Sequence, residues 1–443
     1  MTEQKSTSAL YQFKGKIPVE SMVSFGLQHI LAMLVSNFTP AIIVASACGL
    51  AGGDMARLIQ STMLIAGIGT LIQLFPLWHI GAGLPIVTGL SFTFVSIFCY
   101  IGATYGYESI LGAVLIGGVI EGVLGLLATF WIRFISPVVS SSVVTAIGLS
   151  LLPVGAKSFG GGEGSQNFGS TESWIIGGVT LLVCIFMGAF GKGFLKKMSV
   201  LFGLVVGYVL AICMGVVDFS GLAESKIVGL PAFLSYDFKF ELPAILSVVC
   251  IYLVSATEAI GATEALTNGS FRREAKPEEI RGAISCNGFV SALSSVFGCL
   301  PITTYAQNIG LVNMTRVVNR RAIGSCALIL ILAGFFPIIG DAIATVPSPV
   351  LGGCTIMMFG SIVVSGIEMI GKAGYSARNI TIVSLSLAVG VGFTSVPELF
   401  NVFPDIIRYV FGENCVALVF ILALFLDLIL PKDNKKENTE KSA

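Results

Sequence analysis

The chain reads as an all-α polytopic membrane protein of fourteen transmembrane spans, and three observations lead there. Of 443 residues, 55% are hydrophobic and 11% charged, whereas a soluble domain carries about 25% charged residues. Apolar runs long enough to cross a bilayer, about 20 residues each, recur along the whole sequence. The basic residues then segregate to one side of the topology those runs define.

Taken in order, the clear runs lie at about 20–46, 58–77, 109–131, 137–153, 173–190, 198–217, 243–266, 322–340, 350–370, 379–395 and 413–430. Three more are weaker. Residues 279–298 are small and Ser-rich, and 84–101 and 300–318 are interrupted by Gly, Pro, Thr, Gln and Asn. With fourteen spans both termini share one side. That side then holds 20 of the 25 Lys and Arg residues, from Lys5, Lys14 and Lys16 through Arg133, the Lys192–Lys197 group and the Arg272–Arg281 group to Lys441. Arg57, Lys157, Lys226, Lys239 and Arg408 fall opposite. The bias places both termini in the cytoplasm and the protein in the cell membrane.

Other classes are disfavoured. A formal net charge of zero and the lack of a basic domain give nucleic acid no foothold. The cysteines sit in apolar runs without a CxxC pair (Cys99, Cys184, Cys213, Cys250, Cys326), so they read as packing residues and predict neither disulfide nor metal site. The polar start and the short charged end predict no cleavable leader and no soluble domain. One membrane transport domain, 1–443, is expected.

Two short matches suggest duplication. Pro85-Ile-Val-Thr88 parallels Pro301-Ile-Thr-Thr304 at an offset of 216, and Ser136-Pro-Val-Val139 parallels Ser348-Pro-Val-Leu351 at 212. A 7+7 repeat with an odd number of spans must be inverted, as in secondary transporters. The first pair falls in the two interrupted spans, 3 and 10. Matched broken spans mark a transporter's binding site. Unpaired amides do not face lipid, so the two stretches are expected to pair as short mid-membrane β-strands, each continuing into a short helix whose N–H groups face a polar ligand.

Intramembrane polar residues are costly and mark function. Glu258, in SATEAIGATEAL, lies on a small-residue face suited to lining a cavity. Glu264 is nearer the helix end, Glu121 is intramembrane with no evident partner, and Glu368 and Asp427 read as interfacial. His29 follows Gln28 inside the first span, whereas His79 beside Trp78 reads as interfacial. Gln307-Asn308 opens the second broken helix, where an amide pairs bidentately with a planar ligand or braces the backbone. Ser91-Phe92 opens the first, where a ring stacks on a heterocycle or packs.

At these residues the chain resembles the nucleobase–ascorbate transporter (nucleobase:cation symporter-2) family. Its signature, Gln/Glu/Pro-Asn-x-Gly-x-x-x-x-Thr-Arg/Lys/Gly, is met by Gln307-Asn308-Ile-Gly310-Leu-Val-Asn-Met-Thr315-Arg316. Gln28-His29, Ser91-Phe92, Glu258-Ala-Ile-Gly261 and the Pro347–Gly353 segment match further family elements, and the resemblance spans about 17–431. It implies a core of spans 1–4 and 8–11 (about 17–131 and 243–340), a gate of spans 5–7 and 12–14 (about 132–242 and 341–431), and a homodimer. It implies that Glu258 and Gln307 hydrogen-bond a nucleobase, that Phe92 stacks on it, and that Ala306 backbone contributes, with Ser91 and Asn308 alongside. Glutamine at 307 resembles the xanthine and uric acid carriers. Two departures stand out: Ala262 and Asn287 occupy positions where family members often carry ionisable groups.

The expected function is therefore import of a purine nucleobase, xanthine or uric acid, by alternating access, with no cofactor and with protons as coupling ion, carried by Glu258 and His29. Sodium coupling and facilitated transport stay open. So do a uracil or other nucleobase carrier and a sulfate-permease-type anion carrier of the same fold. A channel needs no matched pair of broken helices, and no motif supports an enzyme.

Overall fold

The structure, a computed structural model, describes residues 10–50, 52–132, 135–162, 165, 167–223 and 225–431. Lys5, Arg133 and the tail lysines Lys432, Lys435, Lys436 and Lys441 lie outside the described residues, as does most of the charged end.

The described residues are mostly helical. The main elements are α1 Val19–Ala47, α2 Gly53–Leu74, β1 Thr88–Leu90, α3 Val95–Tyr105, α4 Tyr107–Leu126, α5 Pro137–Phe159, α6 Thr171–Phe190 and α7 Ser199–Cys213. After a long connection come α8 Leu242–Leu266, α9 Pro277–Val296, β2 Ile302–Thr304, α10 Ala306–Thr315, α11 Arg320–Ala333, α12 Pro337–Ala344, α13 Ser348–Ala373, α14 Ala377–Thr394 and α15 Cys415–Ile429. Among the described residues eight helices are long and apolar enough to cross a membrane, or nine if α11 and α12 form one span.

That pair corrects one expectation. The run 322–340 reads as a single apolar span, yet the chain bends by 85° between α11 and α12. Pro337, at the first position of α12, has no N–H to give the preceding turn, and its ring disfavours helical backbone before it. Gly334 closes α11.

Glycine sets the closest helix crossings, as in membrane proteins generally. Where α4 crosses α9, a Cβ on Gly288 would lie 2.1 Å from the Gly122 nitrogen, and one on Gly125 would lie 2.4 Å from the Ser285 nitrogen. Where α5 crosses α13, a Cβ on Gly352 would lie 2.1 Å from the Phe159 nitrogen. Packing is most extensive within two sets of helices: α1 to α4 with α8 to α11, and α5 to α7 with α13 to α15.

β1 and β2 pair antiparallel, Thr88 with Thr304, Gly89 with Thr303 and Leu90 with Ile302. The Ser91 N–H donates to Pro301 O (3.0 Å) and the Tyr305 N–H to Val87 O (2.9 Å), extending the ladder at both ends. A two-stranded sheet has two open edges, and buried amides must find partners. Side chains supply them. The Thr88 N–H donates to Thr70 Oγ1 (3.0 Å), the Leu90 N–H to Asn37 Oδ1 (3.0 Å) and the Ile302 N–H to Ser291 Oγ (3.0 Å). Helices α2, α1 and α9 each hold one strand amide.

At one end of the molecule Arg281 meets His79 Nδ1 (2.8 Å), Arg320 lies over the Phe75 ring (5.2 Å), and Arg273 pairs with Glu279 (2.5 Å). At the other, the Tyr236 hydroxyl donates to Asp54 (3.2 Å). Burial, and then the Asp54 charge, push that phenol up to about 12, which keeps it a donor. Asp427, in the last turn of α15, forms an ion pair at 2.8 Å with Arg378 in the first turn of α14, their side chains 10% and 13% exposed. The ten cysteines are free.

Candidate functional site

The site is built where the two strands give way to helix. After β1 the chain makes a turn, and α3 starts only at Val95. Ser91 and Phe92, expected to open that helix, belong to the turn. Ser91 is buried, and its hydroxyl accepts the Thr93 N–H (3.3 Å), so it shapes the turn. Thr93 is thereby aimed at α8, where its hydroxyl donates to Glu258 Oε2 at 2.8 Å. Phe92 is 8% exposed and meets Phe359 of α13 edge to face, centroids 5.4 Å apart.

Glu258 belongs to an accessible face of α8. Glu258, Gly261 and Ala262 are partly exposed and Ala265 is exposed, while Ser255, Ala256, Thr257 and Ala259 are buried. Across from that face, a Cβ on Gly261 would find only Met369 Cε of α13, at 3.9 Å. The start of α10 is open in the same way: Ala306 and Gln307 are exposed and Gly310 partly so. Lys197 Nζ, from the segment before α7, lies 3.5 Å from the position of a Cβ on Gly310.

Asn308 points the other way. It is buried, and its Nδ2 donates to His29 O (3.0 Å) and reaches His29 Nδ1 (3.1 Å). The carbonyl partner identifies that amide atom as the nitrogen, so His29 Nδ1 is the acceptor and its ring is the neutral tautomer with the proton on Nε2. His29 and Asn308 thus brace α10 against α1. The Tyr305 hydroxyl faces Leu90 O (2.8 Å) and Ser36 O (3.0 Å), locking the same junction.

Of the residues singled out in the sequence, Glu258 is placed beside the strand-to-helix turn, and Ala306 and Gln307 at the exposed start of α10. Phe92 lies at the contact with α13. Ser91, Asn308 and His29 are in bracing positions. Thr93 was missed, although it follows the Ser-Phe pair directly. Phe359, Met369 and Lys197 were missed because no local pattern marks residues that approach from distant helices. A separate cavity of about 1410 Å³ opens elsewhere, lined among others by Arg57, Gln60, Asp218, Lys226 and Asp341. It includes none of the expected site residues. Among the described residues no group of His, Cys, Asp and Glu is placed to hold a metal.

The Xan_ur_permease model, described as a permease family, matches residues 20–399. Xanthine permease XanQ of Escherichia coli (strain K12) is 33% identical over 444 residues, covering 97% of this chain and 95% of that protein. Uric acid permease PucK of Bacillus subtilis (strain 168) is 35% identical over 387 residues, covering 86% and 89%. Among solved structures, the transmembrane domain of the cyanobacterium bicarbonate transporter BicA aligns with TM-score 0.59 at 15% identity, over 94% of this chain and 100% of that one. Murine Slc26a9, an anion transporter captured in the inward-facing state, aligns with TM-score 0.62 at 11% identity, over 94% and 70%.

Proposed function

The chain belongs to the nucleobase:cation symporter-2 family of permeases, and from that premise we propose that it imports a purine nucleobase, xanthine or uric acid, by proton-coupled alternating access. It is a multi-pass membrane permease and not an enzyme. The observation that carries the reading is Glu258, a carboxylate anchored by Thr93 and bordering an accessible face of α8, with Gln307 exposed at the start of α10. A carboxylate accepts N–H donors, and an amide offers both a donor and an acceptor. Together they match the edge of a purine dione. Phe92 supplies a ring for the flat face.

The remaining features belong to the same proposal. Fourteen spans form an inverted 7+7 repeat. The extensive packing of α4 on α9 and of α2 on α11 supports it, since these pairs exchange under a seven-span shift. The two helix sets become a core, which holds both strands, and a gate, which supplies Phe359 and Met369. Transport moves one against the other. Both termini are cytoplasmic, and the protein works as a homodimer. Glu258 carries the proton. His29 is a second candidate, although its bond to Asn308 favours a bracing role. A carboxylate at the site disfavours an anion carrier of the sulfate-permease type, whose ligand it would repel.

Uptake of radiolabelled xanthine, uric acid and uracil by cells expressing the protein, with and without a proton uncoupler, tests the proposal. Purine accumulation that collapses with uncoupler, and is abolished by Glu258→Gln, is expected. Preferred uptake of uracil, or normal accumulation by Glu258→Gln, overturns it.

A further inference from the structure

Glu121 on α4 has no task in the transport cycle outlined above. It is fully buried, and neither carboxylate oxygen has a hydrogen-bond partner. The backbone around it is tightly confined: a Cβ on Gly288 of α9 would lie 2.7 Å from the Glu121 carbonyl carbon. The polar group facing it from α8 is Ser255, whose hydroxyl is likewise buried and without a partner of ordinary geometry. Ser255 precedes Glu258 by three residues, one helical turn on the same side of α8. The two helices run side by side here: Tyr252, one turn before Ser255 on α8, packs on Gly117, one turn before Glu121 on α4, where a Cβ would lie 2.4 Å from the Tyr252 ring. Tyr252 of α8 and Cys286 of α9 are the other titratable groups beside Glu121, and no cation is among the described residues that face it.

An unpaired charge at buried Glu121 is strongly disfavoured, and a charged Glu258 one turn from Ser255 disfavours it further. A carboxyl that retains its proton has a donor to offer Ser255, and Ser255 has one to offer Glu258. We propose that Glu121 is a second proton-holding group of the carrier, exchanging its proton with Glu258 through the Ser255 hydroxyl. The Glu121 proton passes to Ser255 Oγ as the Ser255 proton passes to the Glu258 carboxylate. Ser255 ends unchanged, Glu258 gains the proton Glu121 loses, and the net charge of the pair is constant. This rests on the reading that Glu258 carries the coupling proton. It assigns Glu121 to coupling and leaves nucleobase binding to Glu258.

Purified protein in liposomes separates the two duties. Xanthine counterflow without a gradient reads binding and reorientation. Accumulation under an inward proton gradient reads coupling, with about tenfold accumulation per pH unit for each proton. Glu121→Gln is expected to keep counterflow within about twofold of wild type and to lose accumulation about tenfold. Ser255→Ala, which leaves both carboxyls in place, is expected to show the same split, more weakly. Wild-type accumulation in Glu121→Gln overturns the proposal. Should Glu121→Gln fail to fold, unchanged accumulation in Ser255→Ala overturns it. Equal loss of counterflow and accumulation in folded Glu121→Gln also overturns it, because the residue is then a brace. Wild-type uptake that ignores the proton gradient, or follows a sodium gradient alone, removes the underlying reading as well and is distinguished by needing no variant.

Discussion

Replacing Gly89 with alanine isolates the rigidity of the strand pair. Gly89 sits in the middle of β1, where a Cβ would lie 2.5 Å from Asn37 Oδ1 and 2.6 and 2.8 Å from the Cζ and Cε2 atoms of Tyr305. Contacts that short do not persist, so one neighbour must retreat by the better part of an ångström. Neither is free to do so. Asn37 Oδ1 accepts the Leu90 N–H at 3.0 Å, and the Tyr305 hydroxyl is 2.8 Å from Leu90 O. Overpacking a tight interior costs about 1–3 kcal/mol. Leaving the Leu90 amide unpaired adds about 1–3 kcal/mol. The sum, roughly 2–6 kcal/mol, is a large share of the 5–15 kcal/mol that holds a typical domain together. The damage falls on the strand that leads into Phe92 and Thr93. Heating detergent-solubilised, fluorescently tagged protein and counting what stays monodisperse should show a melting point lower by roughly 5 °C or more, with xanthine uptake lost in parallel. Gly261→Ala is the control, since its new methyl meets only Met369 Cε at 3.9 Å. It should melt like wild type. Trimming the ring with Tyr305→Leu in the Gly89→Ala background should cost less than the two single changes summed. A Gly89→Ala protein that melts and transports like wild type would refute the claim that these neighbours are fixed.

Further outcomes follow from the same geometry. Thr93→Val removes the donor to Glu258 while keeping shape. A hydrogen bond to a charged group is worth about 1.5–3 kcal/mol, so xanthine affinity should fall about 10- to 100-fold with Thr93→Ser retaining it, and an unchanged Kd would strike Thr93 from the site. Gln307→Ala and Asn308→Ala should separate cleanly. The first should weaken binding without altering the melting point, whereas the second should lower the melting point by the equivalent of about 1–3 kcal/mol, and matching profiles for the two would contradict their opposite exposures. Gln307→Glu should weaken purine binding by uptake competition, and equal purine affinity would remove the amide from recognition. Arg378→Ala strands Asp427 in a nearly buried position, at a cost of about 3–5 kcal/mol for a broken buried pair. The double change Arg378→Met with Asp427→Leu should recover most of the lost thermal stability, and a single variant as stable as wild type would show that the pair is idle.

The order of the long apolar helices was legible because each helix in lipid must satisfy its own backbone, which leaves a long hydrophobic run in the sequence; of the fourteen runs expected, eight or nine correspond to helices long and apolar enough to cross a membrane among the described residues. The interrupted spans were legible for the converse reason, and both contain the expected strand. The bend before Pro337 was not foreseen, because LILILAGFFPIIG reads as one continuous run and hydropathy does not register direction. At the site, Glu258 and Gln307 stand out as polar residues in apolar surroundings. Thr93 does not, since a threonine three residues past a strand looks like any small residue until the turn aims it at α8. Phe359, Met369 and Lys197 come from elements remote in sequence, where only the packed fold creates a neighbourhood. Glu121 was conspicuous but unassigned, and its surroundings on α8 and α9 are a property of helix crossings that single-chain periodicity does not encode.

The backbone amides of Thr88, Leu90 and Ile302 are each held by a side chain from a different helix. All three residues are fully buried, so letting go of any of these amides even briefly exacts the full penalty of a bare dipole in oil. The strand ledge is therefore riveted to three separate helices and cannot flex by itself. Whatever motion carries a nucleobase from one compartment to the other has to haul ledge and rivets together, as a single stiff piece of machinery.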